Sequence, residues 1–224
     1  MCNLYTIDAK LADWARDFAA FLGLRLALPA GAAEGRSNLT WRSPMYPKYH
    51  GLFARPVDPA DHEAGLEPVV GRWGVVPFFH KGPAKDWKFP TNNCRSEEMA
   101  TKPSFRDALK TKRCILPATG FCEYTGPKGA MTRHTITRAD GGPLFLAGLW
   151  ASHDHDGERT ESYTMVMQAA RDGDDMFPFH NRQPVVLDRH SARVWLDLEA
   201  DYREVLSAPA RGSLAFDPPA PVPA

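Results

Sequence analysis

Leu11, Trp14, Phe18 and Leu22 recur at the three- and four-residue spacing of one helix face, and Gly23 stands where a left-handed residue would end it. That spacing predicts a core-packing helix. Residues 25–48 show no period and read as a long loop. From there the pattern shortens and turns β-like. His50–Arg55, Pro68–Val76, Cys114–Pro117, Gly120–Tyr124, Tyr163–Gln168 and Pro184–Leu187 are brief apolar runs that predict strands. His134–Thr137 and Leu144–Leu149 flank Ala139-Asp140-Gly141-Gly142, which reads as a hairpin. Helical spacing returns in Pro103–Arg113, with Phe105 and Leu109 on one face, and in short pieces near Ala192–Leu198 and Tyr202–Leu206. Short strands outnumber helices and no repeat or linker intervenes. The pattern therefore predicts one α+β domain around a mostly antiparallel sheet or barrel. We place that domain at 1–210 and expect the proline-rich end, 211–224, to be an extended or disordered tail.

Composition changes this picture little. A chain of 224 residues can bury one substantial core, and 43% apolar with 24% charged residues is ordinary for a globular protein. Twenty prolines favour loops and short strands over long helices. No stretch approaches the ~20 apolar residues of a membrane span. The start, MCNLYTIDAKLADW, lacks a basic region followed by an apolar run, so it does not read as a signal peptide and we expect a cytoplasmic protein. Cys2, Cys94, Cys114 and Cys122 form no C-x-x-C pair and share no zinc-like spacing with histidine. Disulfides, a metal and a cofactor are not expected, and Cys94, Cys114 and Cys122 read as small buried apolar residues. His153 and His155 are the closest histidine pair and fall in what reads as a polar loop.

Charge is informative only locally. Basic and acidic residues balance at 27 each, yet Gly71–Arg113 carries ten basic against four acidic side chains, a net +6. Trp73, Phe78, Phe79, Trp87 and Phe89 are interleaved with them. Cations for phosphates and rings for bases suit a single-stranded nucleic acid. A solvated basic face beside core aromatics gives the same pattern.

Met1-Cys2 introduces the first distinctive chemistry. Cysteine is small enough for the initiator methionine to be removed, which would leave an amine and a thiol on one residue. An α-amine has a reference pKa of about 7.7–8.0, so much of it is a neutral nucleophile at cellular pH. It can condense with an aldehyde to an imine, on which the thiol can close a five-membered thiazolidine ring. The same thiol could instead attack an amide. Alone, Cys2 reads as an incidental residue at a frayed terminus.

Its company decides between these readings. Arg72-Trp73-Gly74-Val75-Val76-Pro77, Asn93-Cys94-Arg95-Ser96-Glu97, Arg113-Cys114-Ile115-Leu116-Pro117 through Gly120-Phe121-Cys122-Glu123-Tyr124, Ala147-Gly148-Leu149-Trp150 and His180-Asn181-Arg182-Gln183-Pro184-Val185 follow Met1-Cys2 in order. Together they closely resemble the SOS-response-associated peptidase (SRAP) family of abasic-site processing proteins, over positions 2 to about 187. The resemblance implies curved antiparallel strands with peripheral helices and a basic channel for single-stranded DNA leading to the terminal cysteine. It implies a covalent thiazolidine crosslink to abasic sites through Cys2, with AP-lyase and autoproteolytic activity, in a monomer that needs no membrane.

Roles carry over residue by residue. Cys2 matches the crosslinking residue, Glu123 the glutamate of Gly-Phe-x-Glu, and His180 the histidine before Arg-x-Pro. Asn93 and Arg95 match an Asn-x-Arg that holds the terminal residue and a phosphate. A carboxylate can shuttle the proton that opens the hemiacetal sugar, and an imidazole can move protons at the imine or in β-elimination. Arg72, Trp73 and Arg113 are further candidate DNA contacts, Trp73 as a stacking surface; Gly148 and Trp150 read as packing. Singly, Glu123 could be an ion-pair partner, Asn93 a turn residue, Arg95 a surface cation and His180 a loop histidine. Departures also stand out. Asn3-Leu4 replaces the usual Gly-Arg after the cysteine, Ser43–Gly51 replaces the common Asn-x-x-Pro-Thr segment, and Asn181 and Gln183 replace aspartate and methionine. Two alternatives remain: a Cys2 thiol peptidase or amidohydrolase, and a non-catalytic single-strand binder using 71–113.

Overall fold

The computed structural model describes residues 2–32 and 39–218. The expected helix forms as α1 (Leu11–Asp17), continues as a π-helical turn (Phe18–Leu22) and stops at Gly23, whose φ is 65°. Its apolar stripe is buried, and Trp14 and Phe18 meet Phe145 edge-on at 6.4 and 4.8 Å. Burying side chains of this size contributes roughly 1.5–3 kcal/mol each, so the stripe fixes the helix against the sheet.

The strands are β1 (Tyr5–Thr6), β2 (His50–Asp58), β3 (Asp61–Trp73), β4 (Asn93–Arg95), β5 (Arg113–Ala118), β6 (Gly120–Thr125), β7 (Thr132–Arg138), β8 (Leu144–His155), β9 (Glu158–Ala169), β10 (Arg182–Pro184) and β11 (Leu214–Asp217). Two further helices, α2 (Arg106–Thr111) and α3 (Arg189–Leu196), lie between them. Strands β3, β2, β5, β8 and β9 pair in that order, and β9 returns to β3, so five strands close a barrel. Only the β3–β9 contact in that ring is parallel. A second, antiparallel sheet runs β1–β6–β7–β11. The α+β domain with a barrel-like core is therefore what forms. Gly148 lets its strands close: a β-carbon there would sit 3.0 Å from Cys114 Sγ and Leu116. Trp150 lies outside, beneath the cations of Arg55 and Lys112. All four cysteines are buried free thiols. No helix of the described residues is long and apolar enough to cross a membrane.

Three local expectations are corrected. Strands β7 and β8 belong to different sheets, so Ala139–Gly142 is a crossover and not a hairpin. The hairpin joins β8 to β9 at Asp156-Gly157, where both residues have positive φ, and it carries His153 and His155 on β8 instead of in a loop. Leu214–Asp217 pairs with Thr135–Arg138, so that part of the expected 211–224 tail is a strand of the second sheet; 219–224 lie outside the described residues.

Candidate active site

The second sheet positions the terminal segment. Tyr5 pairs with Phe121 and Thr6 with Gly120, and the Cys122 N–H donates to Leu4 O at 2.9 Å. The pairing thus runs toward the terminus and lays Cys2 beside the end of β6. Cys2 is buried, with its Sγ donating to Leu4 O at 3.3 Å. From β4, Asn93 Nδ2 donates to the Cys2 carbonyl at 2.6 Å, and from the residue just before that strand Asn92 Nδ2 donates to Asn3 Oδ1 at 3.1 Å. Asn93 Oδ1 is buried and has no hydrogen-bond partner among the described residues. Met1 lies outside the described residues.

Glu123 comes from β6 and is buried at the same place. Burial first, and the Glu123 charge second, push the Cys2 thiol up to about 12. The thiol is therefore protonated at neutral pH, unlike an activated thiolate. His180 is delivered by the loop before β10. Its N–H donates to Met176 O at 3.0 Å, and its Nδ1 accepts from the Arg182 N–H at 2.9 Å. In the neutral ring the hydrogen then sits on Nε2. Burial lowers the His180 pKa, while Glu123 acts in the opposite direction, which places the carboxylate near both Cys2 and His180. The loop is braced from the tail: Phe179 stacks on Phe216 of β11 at 4.2 Å with the rings 6° from parallel. An ion pair from Arg182 to Glu97 ties β10 to the segment after β4 and holds the Glu97 carboxyl at about 2.

Cys2, Asn93, Glu123 and His180 are thus brought together. Arg95 lies two residues along β4 from Asn93, with a side chain 44% exposed and paired with Glu98 at 3.3 Å; Lys102 shares that carboxylate at 2.6 Å.

Arg72, Trp73 and Arg113 stand elsewhere. All three are buried. The Arg72 guanidinium is spent on the carbonyls of Gly74 and Trp87. Arg113 donates to the carbonyls of Leu109 at 2.8 Å, Trp195 at 3.3 Å and Asp197 at 2.9 Å. Neither presents its charge to a phosphate. Trp73 packs edge-on against Tyr5 at 4.8 Å and donates from Nε1 to Asn92 O at 2.8 Å. It is a brace between β1 and β4, which together set Cys2 and Asn93, and not an exposed stacking surface. The +6 segment is accordingly not one basic face.

Beside these residues opens a cleft of about 470 Å³, lined by Asn3, Tyr46, Lys48, Lys88, Phe89, Asn92 and Tyr124 among others. Sequence reasoning missed Asn92 as the anchor of Asn3, though it directly precedes Asn93. It also missed Tyr46 and Lys48, which lie in a stretch without period.

A family model described as SOS response associated peptidase (SRAP) matches residues 1–218. The abasic site processing protein YedK of Escherichia coli is 30% identical over 68% of this chain and 64% of its own length. YoqW of Bacillus subtilis, with the same description, is 32% identical over 62% of each. The aligned regions therefore span somewhat less than two thirds of these relatives. A solved structure from Bordetella bronchiseptica covers 96% of this chain and 98% of its own at a TM-score of 0.75 and 28% identity. One from Bacteroides thetaiotaomicron covers 96% and 90% at 0.77, with 19% identity, a likeness of fold alone. With a family match that spans both sheets, the barrel and the Cys2 site between them, the chain belongs to the SOS response associated peptidase family.

Proposed function

We propose that this protein processes abasic sites in single-stranded DNA by forming a thiazolidine crosslink through Cys2 as its terminal residue. The observation that carries the reading is the Asn93 grip on the Cys2 carbonyl, with Glu123 buried at the same residue. A frayed terminus would need neither. The relatives named as abasic site processing proteins support the same substrate.

The chemistry follows from the groups present. Glu123 shuttles the proton that opens the sugar hemiacetal to its aldehyde. The Cys2 amine adds to that carbon and water leaves, giving an imine. The thiol then adds to the imine carbon, its proton passing to nitrogen, and the five-membered ring closes. A protonated thiol is suited to this second position in the sequence, since the amine attacks first. Strand cleavage is the competing outcome: a base removes a proton beside the imine and the 3′ phosphate departs. His180 is placed to manage that proton. A thiol peptidase acting beyond its own leader is less well supported, because burial and Glu123 both disfavour the thiolate it needs.

Intact-mass measurement tests the proposal. The mature protein should lack one methionine and gain the mass of an abasic oligonucleotide less water. Cys2→Ala should form no stable adduct, and Cys2→Ser only an imine that borohydride traps. A heat-stable adduct in Cys2→Ala, or reactive protein that retains Met1, would refute it.

A further inference from the structure

The peptide joining Cys2 to Asn3 is held at two points by two consecutive side chains. Asn93 Nδ2 donates to its oxygen, the Cys2 carbonyl, at 2.6 Å, and Asn92 Nδ2 donates to Asn3 Oδ1 at 3.1 Å. A peptide is planar, so a grip on its oxygen and another on the side chain beyond it fix the orientation of the plane. The Cys2 sulfur is set separately. It bonds Leu4 O at 3.3 Å, a carbonyl that the Cys122 N–H also holds at 2.9 Å. What is left to Cys2 is one backbone torsion, the rotation that swings its nitrogen.

Asn92 can serve as an anchor because its own backbone is pinned. Its carbonyl accepts twice, from Trp73 Nε1 at 2.8 Å and from the Met165 N–H at 2.9 Å, which ties it to β3 and β9 of the barrel. Trp73 in turn packs edge-on against Tyr5, whose hydroxyl bonds that of Tyr163 on β9. The terminal segment is thus referred to the barrel twice, through Tyr5 and through Asn3.

The two asparagines are not equally in need of the contact. Asn92 is buried, and a buried amide donor requires a partner. Asn3 is exposed at the wall of the cleft, where water would satisfy it and where ordering its side chain costs entropy. Glycine, which Asn3 replaces in the resembled motif, would offer no acceptor and a freer backbone. A nucleophile held in direction reacts faster than one free to rotate.

We infer that Asn3 and Asn92 are a positioning pair that aims the terminal nitrogen of Cys2, and so sets the rate of amine addition and not the affinity for the strand. This rests on the proposed function for the identity of the carbon attacked, the sugar aldehyde.

The test measures single-turnover adduct formation on a single strand with one abasic site, across strand concentrations, which separates the saturating rate from the half-saturating concentration. Asn92→Ala and Asn3→Ala should each lower the saturating rate about fivefold, the weight of one net hydrogen bond, and leave the half-saturating concentration unchanged. Neither substitution touches the Asn92 backbone bonds, so both proteins should fold. The double variant should lose no more than either single one, as partners in one contact do. Asn3→Asp keeps an oxygen for Asn92 and should recover most of the rate lost in Asn3→Ala. Asn92→Asp removes the donor and sets oxygen against oxygen, so it should lose at least as much as Asn92→Ala. A packing role alone would treat both aspartates alike. A wild-type saturating rate in Asn92→Ala, or losses that add in the double variant, would overturn the inference. Alkylation of Cys2 by iodoacetamide, located by peptide mass, needs no DNA. A loosened terminal segment uncovers the buried thiol, so Asn92→Ala should react faster than wild type. Wild-type protein that makes no adduct, with faster alkylation in Asn92→Ala, would sink the proposed function and leave the clamp on Cys2 standing. No adduct together with unchanged alkylation would remove both.

Discussion

The Asn93 side-chain amide donates to the carbonyl oxygen of Cys2 at 2.6 Å, while its own Oδ1 is buried without a partner among the described residues. One side chain thus holds the Cys2 carbonyl and keeps an acceptor at the same place, which under the proposed function would receive the terminal amine.

Asn93→Ala should therefore act on geometry more than on stability. Losing one hydrogen bond costs about 1 kcal/mol of folding free energy. Displacing a reacting group by an ångström costs about a hundredfold in rate. We expect single-turnover adduct formation to fall by about that factor while urea unfolding shifts only slightly. A variant with a normal rate would show that Asn93 does not position Cys2.

Arg95 and Arg113 make a second, paired prediction. Arg95 is exposed and shares Glu98 with Lys102, so a phosphate can replace the carboxylate at little cost. Arg95→Ala should reduce the salt slope of single-strand binding by about 0.7. Arg113 is buried on three carbonyls. Arg113→Ala should leave that slope alone and destabilise the fold by about 2–4 kcal/mol, because buried acceptors lose a charged donor. Equal slope changes in both variants would contradict the placement of Arg113.

The contrast between these arginines shows what was legible in the sequence. The stop at Gly23 and most strand positions follow from local pattern, because φ preference and apolar spacing act over a few residues. Cys2, Asn93, Glu123 and His180, which the fold brings together, stand out in the sequence through ordered motifs and chemical type. Whether an arginine is spent inside the fold is not local: Arg113 finds its acceptors on Trp195 and Asp197, more than eighty residues away. Nor is sheet partnership. Asp156-Gly157 carried the stronger hairpin signal, and Ala139–Gly142 gave a false one because β7 finds its partners in β6 and β11. Phe216 was hidden by the prolines after it.

That tail residue supports the third prediction. Phe216 stacks on Phe179, the residue before His180, and Asp175 of the same loop accepts from the Gly212 and Leu214 N–H groups. Phe216→Ala should loosen the loop and lower strand cleavage more than it lowers affinity for intact single strands. Phe216→Leu should restore part of the loss by refilling the volume. Cleavage at the wild-type rate in Phe216→Ala would mean that His180 is set by the Met176 and Arg182 contacts alone.

The last prediction separates Glu123 from His180 through their coupling. Burial keeps the His180 pKa below the ordinary histidine value of about 6.5, so its ring stays neutral until the pH falls beneath that range. Because the folded value is the lower one, protonation opposes the native arrangement. Any stability linked to His180 is present above the unfolded pKa and declines as pH falls through it. The acid limb of strand cleavage should accordingly lie below pH 6.5. Glu123 works against that depression, so Glu123→Gln should move the limb to still lower pH. The same substitution removes a charge that raises the Cys2 thiol, and iodoacetamide should then alkylate Cys2 faster at a given pH. On rates the two variants should part. Glu123→Gln should slow crosslinking, with about 10²–10⁴-fold as the range for a lost general acid–base group. His180→Ala should reduce cleavage more than crosslinking, since only β-elimination needs a base at the sugar carbon. Crosslinking and cleavage measured on one oligonucleotide between about pH 5 and 8, the span of histidine titration, give both comparisons. An acid limb that does not move in Glu123→Gln would show the two groups to be uncoupled. Equal losses of both activities in both variants would assign them a single shared role.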